Sequence, residues 1–316
     1  MNRQKGIAPL EINIPNRQSG SFLRKSAWGR LTAESLGLTG PAKKKFSDGA
    51  GFTLIELLVV IAIIALLMSI LMPAMQRVKK QARSVACLSK LKQWSLYFAM
   101  YADDYNGRFM AGFTAEPQDN RWVYALGDYY KWDDEFTCCP NAKKPWVDEF
   151  GVNSGAEGMY LGVTMAWGYM NQGHWKKPMK GSYGINGWCV DPQPGNEPHS
   201  GGVNWFWRGP TVAGAGYVPL FLEAQRYNGW ALHTDRPPSY SGERWNDDAQ
   251  MGRYCLNRHD GFAGCLFLDY SARKVGLKEL WTLKWHKEYN ESGPWTLAGG
   301  VMSSDWPLWM KPLKDY

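Results

Sequence analysis

Net charge is scarce along most of this chain, and what there is gathers in one place. Residues 1–51 hold nine Lys/Arg against three acids, so six of the seven net positive charges lie there and one is left for the 265 residues that follow. A near-neutral body has no bulk electrostatic reason to bind a polyanion, so a nucleic-acid partner is not expected. Catalytic signatures are also missing. No G-x-S-x-G occurs, the five histidines (174, 199, 233, 259 and 286) are scattered without H-E-x-x-H, and no C-x-x-C is present. Gly214-Ala215-Gly216 starts like a dinucleotide loop, but Pro219 occupies the third glycine position. The acid pairs Asp133-Asp134 and Asp247-Asp248 are adjacent, which points the two side chains apart. These absences argue against an enzyme, a cofactor and a zinc centre. Repeats of solenoid length are absent as well.

One feature stands above a generic globular chain. Phe52–Met72 reads FTLIELLVVIAIIALLMSILM, interrupted only by Thr53, Glu56 and Ser69. As a helix, 21 residues at about 1.5 Å each cover roughly 30 Å, the thickness of a bilayer core. A helix in a soluble core seldom stays apolar on every face for so long. A secretory signal peptide would carry its small-residue cleavage site after the run, whereas Gly49, Ala50 and Gly51 come before it. The expected reading is a membrane span.

Glu56 is the informative residue. A carboxylate in the first turns of a membrane helix is costly unless partnered, and is a functional candidate by default. It lies four residues beyond Phe52, so a cut between Gly51 and Phe52 would create an ammonium about one turn away. That ammonium, or a neighbouring subunit's, could serve as counter-ion and set register in an assembly.

Lys43-Lys44-Lys45, the run Gly51-Phe52-Thr53-Leu54-Ile55-Glu56, the apolar segment and Pro73 together resemble the type IV prepilin cleavage and methylation motif of pilins and type II secretion pseudopilins. The resemblance implies that a prepilin peptidase cuts after Gly51 and that Phe52 becomes N-methylated. It gives Glu56 a role in subunit assembly and Pro73 the place where many pilin helices bend. Implied partners are the peptidase, further pilin-like subunits in a homo-oligomeric filament, an inner-membrane assembly platform and membrane lipid. Residues 1–51 depart from the pattern, being longer than the usual type IV leader. Local charge does not orient the span, because Lys43, Lys44 and Lys45 on one side face Arg77, Lys79, Lys80 and Arg83 on the other. Processing on the cytoplasmic face would leave the head outside a single-pass inner-membrane anchor.

Beyond the run, Pro73 removes one N–H and should kink the helix without ending it. Val78, Ala82, Val85, Leu88, Leu91, Trp94, Phe98 and Tyr101 recur at spacings of three or four, an amphipathic stripe that predicts helix to about Ala102. Asn106-Gly107 supplies the stop. Asp103-Asp104-Tyr105 could open a calcium loop, but Arg108 occupies a ligand position, which favours a helix end. The domain reading is a basic leader at 1–51, a pilin helix at 52–105 with its span at 52–72, and a head at 106–316.

The head reads as short strands and long loops. Residues 151–216 hold 15 glycines and no helical period, and residues 233–250 form a polar, Pro-rich loop. Strands are expected at 254–256 and 264–268, a turn at Asp269-Tyr270-Ser271, a return strand at 272–275, and a short helix carrying Leu277, Leu280, Trp281, Trp285 and Tyr289. Arg258 to His286 resembles the C-terminal hairpin of large pseudopilin-like families, in which His is followed after nine residues by Asp-Gly. His259 and Asp269 keep that spacing, with Tyr270 in place of Gly. The expected fold class is α+β, with a long kinked N-terminal helix packed on a loop-rich antiparallel head.

Six cysteines (87, 138, 139, 189, 255 and 265) permit disulfides in an exported head, with 15 connectivities. A Cys138–Cys139 bond would strain the peptide between them, so Cys87 is paired here with one of the two. Buried free thiols are the alternative. A second reading of function comes from the tryptophans, 16 of 17 of which follow residue 52. Trp205-Phe206-Trp207-Arg208 could stack on sugars and make the head a membrane-anchored glycan binder. Otherwise these rings fill a core poor in aliphatic strands.

Overall fold

The computed structural model describes residues 52–112, 120–145, 162–167, 179–197, 199, 202–244 and 249–316. Gly51, the leader and the stretches expected to be loops around 151–161 and 245–248 lie outside the described residues. By its contacts the chain divides into two units, Met1–Val60 and Ile61–Tyr316.

Helix α1 covers Leu54–Asp104 without interruption. Its 51 residues make it roughly 75 Å long. Pro73 sits inside it and does not end it, because the residues around it supply enough apolar, helix-forming side chains to carry the helix past one missing hydrogen bond. The stop falls where the Asn-Gly pair puts it. Asn106 has φ 55° and Gly107 φ 74°, and the Gly107 N–H bonds the Ala102 carbonyl at 2.7 Å. This six-to-one closure satisfies an orphan carbonyl of the last turn. Asp103 and Asp104 belong to the helix, and Asp104 accepts a hydrogen bond from the Tyr129 hydroxyl at 2.6 Å.

The expected apolar stripe is only partly used. Leu91, Trp94, Phe98 and Tyr101 are buried, but Val78, Ala82 and Val85 stay exposed. Ser84 and Cys87 take their place at the start of the buried face. Among the described residues the buried face of the helix therefore begins at Ser84, along a line rotated from the one read in the sequence.

Among the described residues seven strands form two sheets. Two-residue β1 (Lys144–Pro145) and β2 (Met165–Ala166) pair in parallel. The main sheet runs β5-β3-β4-β6-β7, with β3 Tyr183–Asn186, β4 Pro219–Glu223, β5 Asn228–Gly229, β6 Phe262–Phe267 and β7 Ala272–Gly276. All its pairings are antiparallel except β3 with β5. A short helix, α2 (Trp122–Ala125), adds Trp122 to the core. The fold class is α+β, as expected.

Helix and sheet approach closely where β6 carries no side chain. A Cβ on Gly264 would lie 2.8 Å from Leu91 Cδ1 and 3.3 Å from Cys87 Sγ. Along β4, Phe221 and Glu223 alternate with Leu222 and so share one sheet face. Phe221 meets Trp94 and Phe98 of the helix, which identifies the face that α1 covers.

The hairpin between β6 and β7 forms as expected, and Tyr270 adopts φ 63° where a glycine would be unstrained. Asp269 holds the turn by accepting hydrogen bonds from the Ser271 N–H at 2.9 Å and hydroxyl at 2.6 Å. Two local expectations are corrected. Residues 254–256 are not a strand: they follow a 3-10 turn at Gln250–Arg253, and the Tyr254 hydroxyl instead bonds the Ile185 and Gly229 carbonyls at 2.7 and 3.0 Å. The helix expected after 277 is a single 3-10 turn, Glu279–Thr282. Burial of Leu280, Trp281, Trp285 and Tyr289 around it mimics a helical period without a helix.

Candidate functional site

The N-terminal site is built from residues 52–60 alone. Phe52 and the apolar side chains after it are exposed, which in a long helix marks a surface made for lipid or for other helices. Among the described residues α1 is the one helix long and apolar enough to cross a membrane. Glu56 does not stand alone there. Its Oε2 accepts hydrogen bonds from the Thr53 N–H and the Thr53 hydroxyl, both at 2.8 Å, and the Glu56 N–H reaches back to Thr53 Oγ1 at 3.3 Å. This is a reciprocal capping box, with Thr three residues ahead of Glu. The spacing was readable in the sequence, where Glu56 drew attention only for its charge. The cap leaves the second carboxylate oxygen, Oε1, for a partner.

A second cluster lies inside the head. Cys87 Sγ, Cys139 Sγ, a Glu223 carboxylate oxygen and a His259 ring nitrogen all fall within 4.8 Å of one another, and all four residues are buried. The cluster joins α1 (Cys87), the turns after α2 (Cys139), the end of β4 (Glu223) and the turn before β6 (His259). His259 Nε2 is 3.4 Å from Cys139 Sγ and 3.1 Å from Glu223 Oε1. Around this core, the Tyr183 hydroxyl donates to Cys87 Sγ at 3.2 Å, the Asn141 N–H to Cys139 Sγ at 3.5 Å, and the Gly264 N–H to Glu223 Oε2 at 2.9 Å. Asn141 Nδ2 lies 3.4 Å from His259 Nδ1 and bonds the Arg258 carbonyl at 2.7 Å.

These contacts set the charges. Burial pushes the Cys87 thiol well up, while the Cys139 thiol is held below its usual range, first by its hydrogen bond with Cys87. Burial acts to raise Glu223, but the hydrogen bond and charge of His259, with Arg258 behind them, hold it below the usual carboxylate range. Burial likewise acts to lower His259, and its contacts with Cys139 and Glu223 outweigh that and raise it to about 10.

All six cysteines stand as free thiols in the structure, the alternative that the sequence left open beside disulfides. Cys87 does meet one of the vicinal pair, Cys139, as a thiol. Cys138, Cys189, Cys255 and Cys265 are buried and separate from the cluster, and burial raises each of them. Local spacing hid the cluster, because its members lie far apart in sequence and only the fold assembles them. Among the described residues no exposed aromatic platform is seen. Every tryptophan among the described residues is buried or half-buried. Trp207 donates to the Trp285 carbonyl at 3.0 Å, Phe206 packs on Trp188, and Trp205 stacks on His286 at 4.3 Å. His259 faces the cluster, while Asp269 stays at its hairpin turn.

An exposed apolar helix, long enough to cross a membrane and capped by Thr53 and Glu56, precedes the α+β head. Residues 48–72 match the family model described as the prokaryotic N-terminal methylation motif. Curated proteins and solved structures give no match.

Proposed function

We propose that this chain is a pilin-like structural subunit of a type II secretion pseudopilus or a type IV pilus-like filament. The motif at 48–72 carries the reading. In it a prepilin peptidase cuts between Gly51 and Phe52 and Phe52 is N-methylated, removing the basic leader. The mature chain then waits in the inner membrane as a single-pass protein, with residues 106–316 as its extracytoplasmic head. An inner-membrane platform feeds it into a filament, where apolar faces of α1 from neighbouring copies pack together. Leu54 to Met75 supply that face, since their side chains are exposed in the single chain.

Glu56 has two tasks in this scheme. It caps its own helix through Thr53, and it offers charge to the Phe52 ammonium of a neighbour. In a low-dielectric surrounding that pair favours one register over slipped ones. Pro73 marks where the helix can bend as copies pack.

The test is the N-terminus of the mature protein, read by mass spectrometry from membranes that contain the native peptidase. N-methyl-phenylalanine at Phe52 is expected. An intact leader would overturn the filament reading and leave a single-span anchored protein.

A further inference from the structure

The buried Cys87–Cys139–Glu223–His259 cluster gathers four metal-ligating or titratable side chains in the interior of the head. One ring nitrogen, His259 Nε2, is approached by both a thiol sulfur and a carboxylate oxygen. A ring nitrogen has one proton or one lone pair to offer, so it cannot bond well to both. In a hydrogen-bonded relay the carboxylate would sit on the opposite nitrogen, Nδ1, and here it does not. Four possible ligand atoms instead lie within 4.8 Å of one another.

We propose that Cys87 Sγ, Cys139 Sγ, Glu223 and His259 Nε2 bind one Zn²⁺ ion as a structural site. The distances suit it. Zinc bonds of about 2.0–2.3 Å in a tetrahedron place neighbouring ligands about 3.3–3.8 Å apart. The two cross-contacts of His259, 3.4 and 3.1 Å, are near those edges, and all four atoms lie within 4.8 Å. Two thiolates, an imidazole and a carboxylate select zinc over the hard cations magnesium and calcium. With four protein ligands, all buried, no position is left for substrate, which makes the site structural and not catalytic.

The surroundings complete the argument. Tyr183, Gly264 and the Asn141 N–H each donate to a ligand atom, the kind of outer contact that orients metal ligands. Arg258, buried beside His259, offsets the negative charge of two thiolates and a carboxylate around a dication. A surface cleft lined by Lys80, Arg83, Asn141, Arg258 and His259 gives the ion a route in. Its task follows from the four segments it joins. The ion would clip α1 to the central strand of the sheet and to both turns beside it, so that binding energy becomes folding energy of the head. Nothing in this inference depends on how the N-terminus is processed.

The experiment uses the full chain, purified in detergent under reducing conditions without chelator, with metal measured by inductively coupled plasma mass spectrometry. About one zinc per chain is expected. Cys139→Ser and His259→Ala should lower it at least tenfold, while Cys255→Ser, at a buried thiol outside the cluster, should leave it unchanged. Cobalt added to metal-stripped protein should give a thiolate-to-cobalt charge-transfer band and the intense visible bands of four-coordinate cobalt. Near-ultraviolet circular dichroism checks that each variant is folded. A folded wild-type chain that takes up neither metal would overturn the site. So would an intact mass showing a Cys87–Cys139 disulfide in metal-free native protein.

Discussion

The Trp94 ring of α1 meets the Phe221 ring of β4 at a centroid distance of 5.0 Å and an angle of 53°. Trp94 also contacts Trp122 at 5.3 Å, Tyr130 at 5.1 Å and Phe136 at 5.0 Å. One helix residue therefore touches the central strand, α2 and the turns after it. Such a hub is what lets a head of short strands and many turns share one core with the helix.

Trp94→Ala should thus be among the most damaging single changes in the head. Emptying a fully buried indole site costs about 3–5 kcal/mol, and this site is walled by rings that cannot easily collapse inward. Chemical denaturation of the detergent-solubilised chain should show a lower midpoint, with rapid limited proteolysis beginning in the head. Val85→Ala, at an exposed position on the same helix, should change little.

Glu56 and Thr53 allow the cap to be separated from the charge. Glu56→Gln keeps an oxygen that can accept from Thr53, so the cap survives while the carboxylate is lost. Peptidase cleavage should proceed in this variant and filament assembly should fall at least tenfold, read by shearing and quantifying filaments. Thr53→Ala removes half the box, worth about 1 kcal/mol of helix start, and should weaken assembly only mildly. Normal assembly of Glu56→Gln would leave the cap as the only role of Glu56.

How much was legible in the sequence depended on whether the signal was local. The apolar run, the Asn106-Gly107 stop and the β6–β7 hairpin are each written within a few neighbouring residues, and each appears where expected. The phase of the helix stripe differs from the apolar spacing because Ser84 and Cys87 are polar or weakly apolar, yet both are buried, Cys87 where Gly264 opposite lets it approach. Likewise, Trp281 and Trp285 are spaced like a helix face but are buried by one 3-10 turn and the chain that follows it. The Cys-His-Glu cluster was invisible for a topological reason: its ligands meet only after α1 crosses a sheet whose neighbouring strands β4 and β6 are distant in sequence.

Arg258 gives a third prediction. Its guanidinium donates to the carbonyls of Val163 and Ser182 at 2.7 Å, of Met165 at 3.1 Å and of Ala224 at 3.3 Å. Four carbonyls from three chain segments are thus held by one planar fork. Lysine keeps the charge but has neither the fork nor the reach to satisfy them. Arg258→Lys should destabilise the head by about 2–3 kcal/mol, since charged hydrogen bonds contribute about 1.5–3 kcal/mol each and lysine retains some of them. Thermal unfolding followed by near-ultraviolet circular dichroism measures the loss. An unchanged midpoint would mean that water replaces the missing donors.

The last prediction concerns acid. His286 is fully buried, lies flat on Trp205 at an interplanar angle of 7°, and neither ring nitrogen has a hydrogen-bond partner among the described residues. Burial, reinforced by repulsion from Lys284 and from the nearby His233 and His199 rings when they are charged, lowers it from 6.5 to about 3. The folded state thus keeps the ring neutral, whereas the unfolded chain takes up a proton below about pH 6.5. The full contribution to stability is present above that pH and is lost as the pH falls toward 3, at about 1.4 kcal/mol per unit. His286→Phe preserves the stack and removes the proton site. Its unfolding free energy should fall less steeply than wild type between pH 6.5 and about 4, the two curves separating by about 2 kcal/mol near pH 5. Parallel curves would assign the acid sensitivity of the head to other groups.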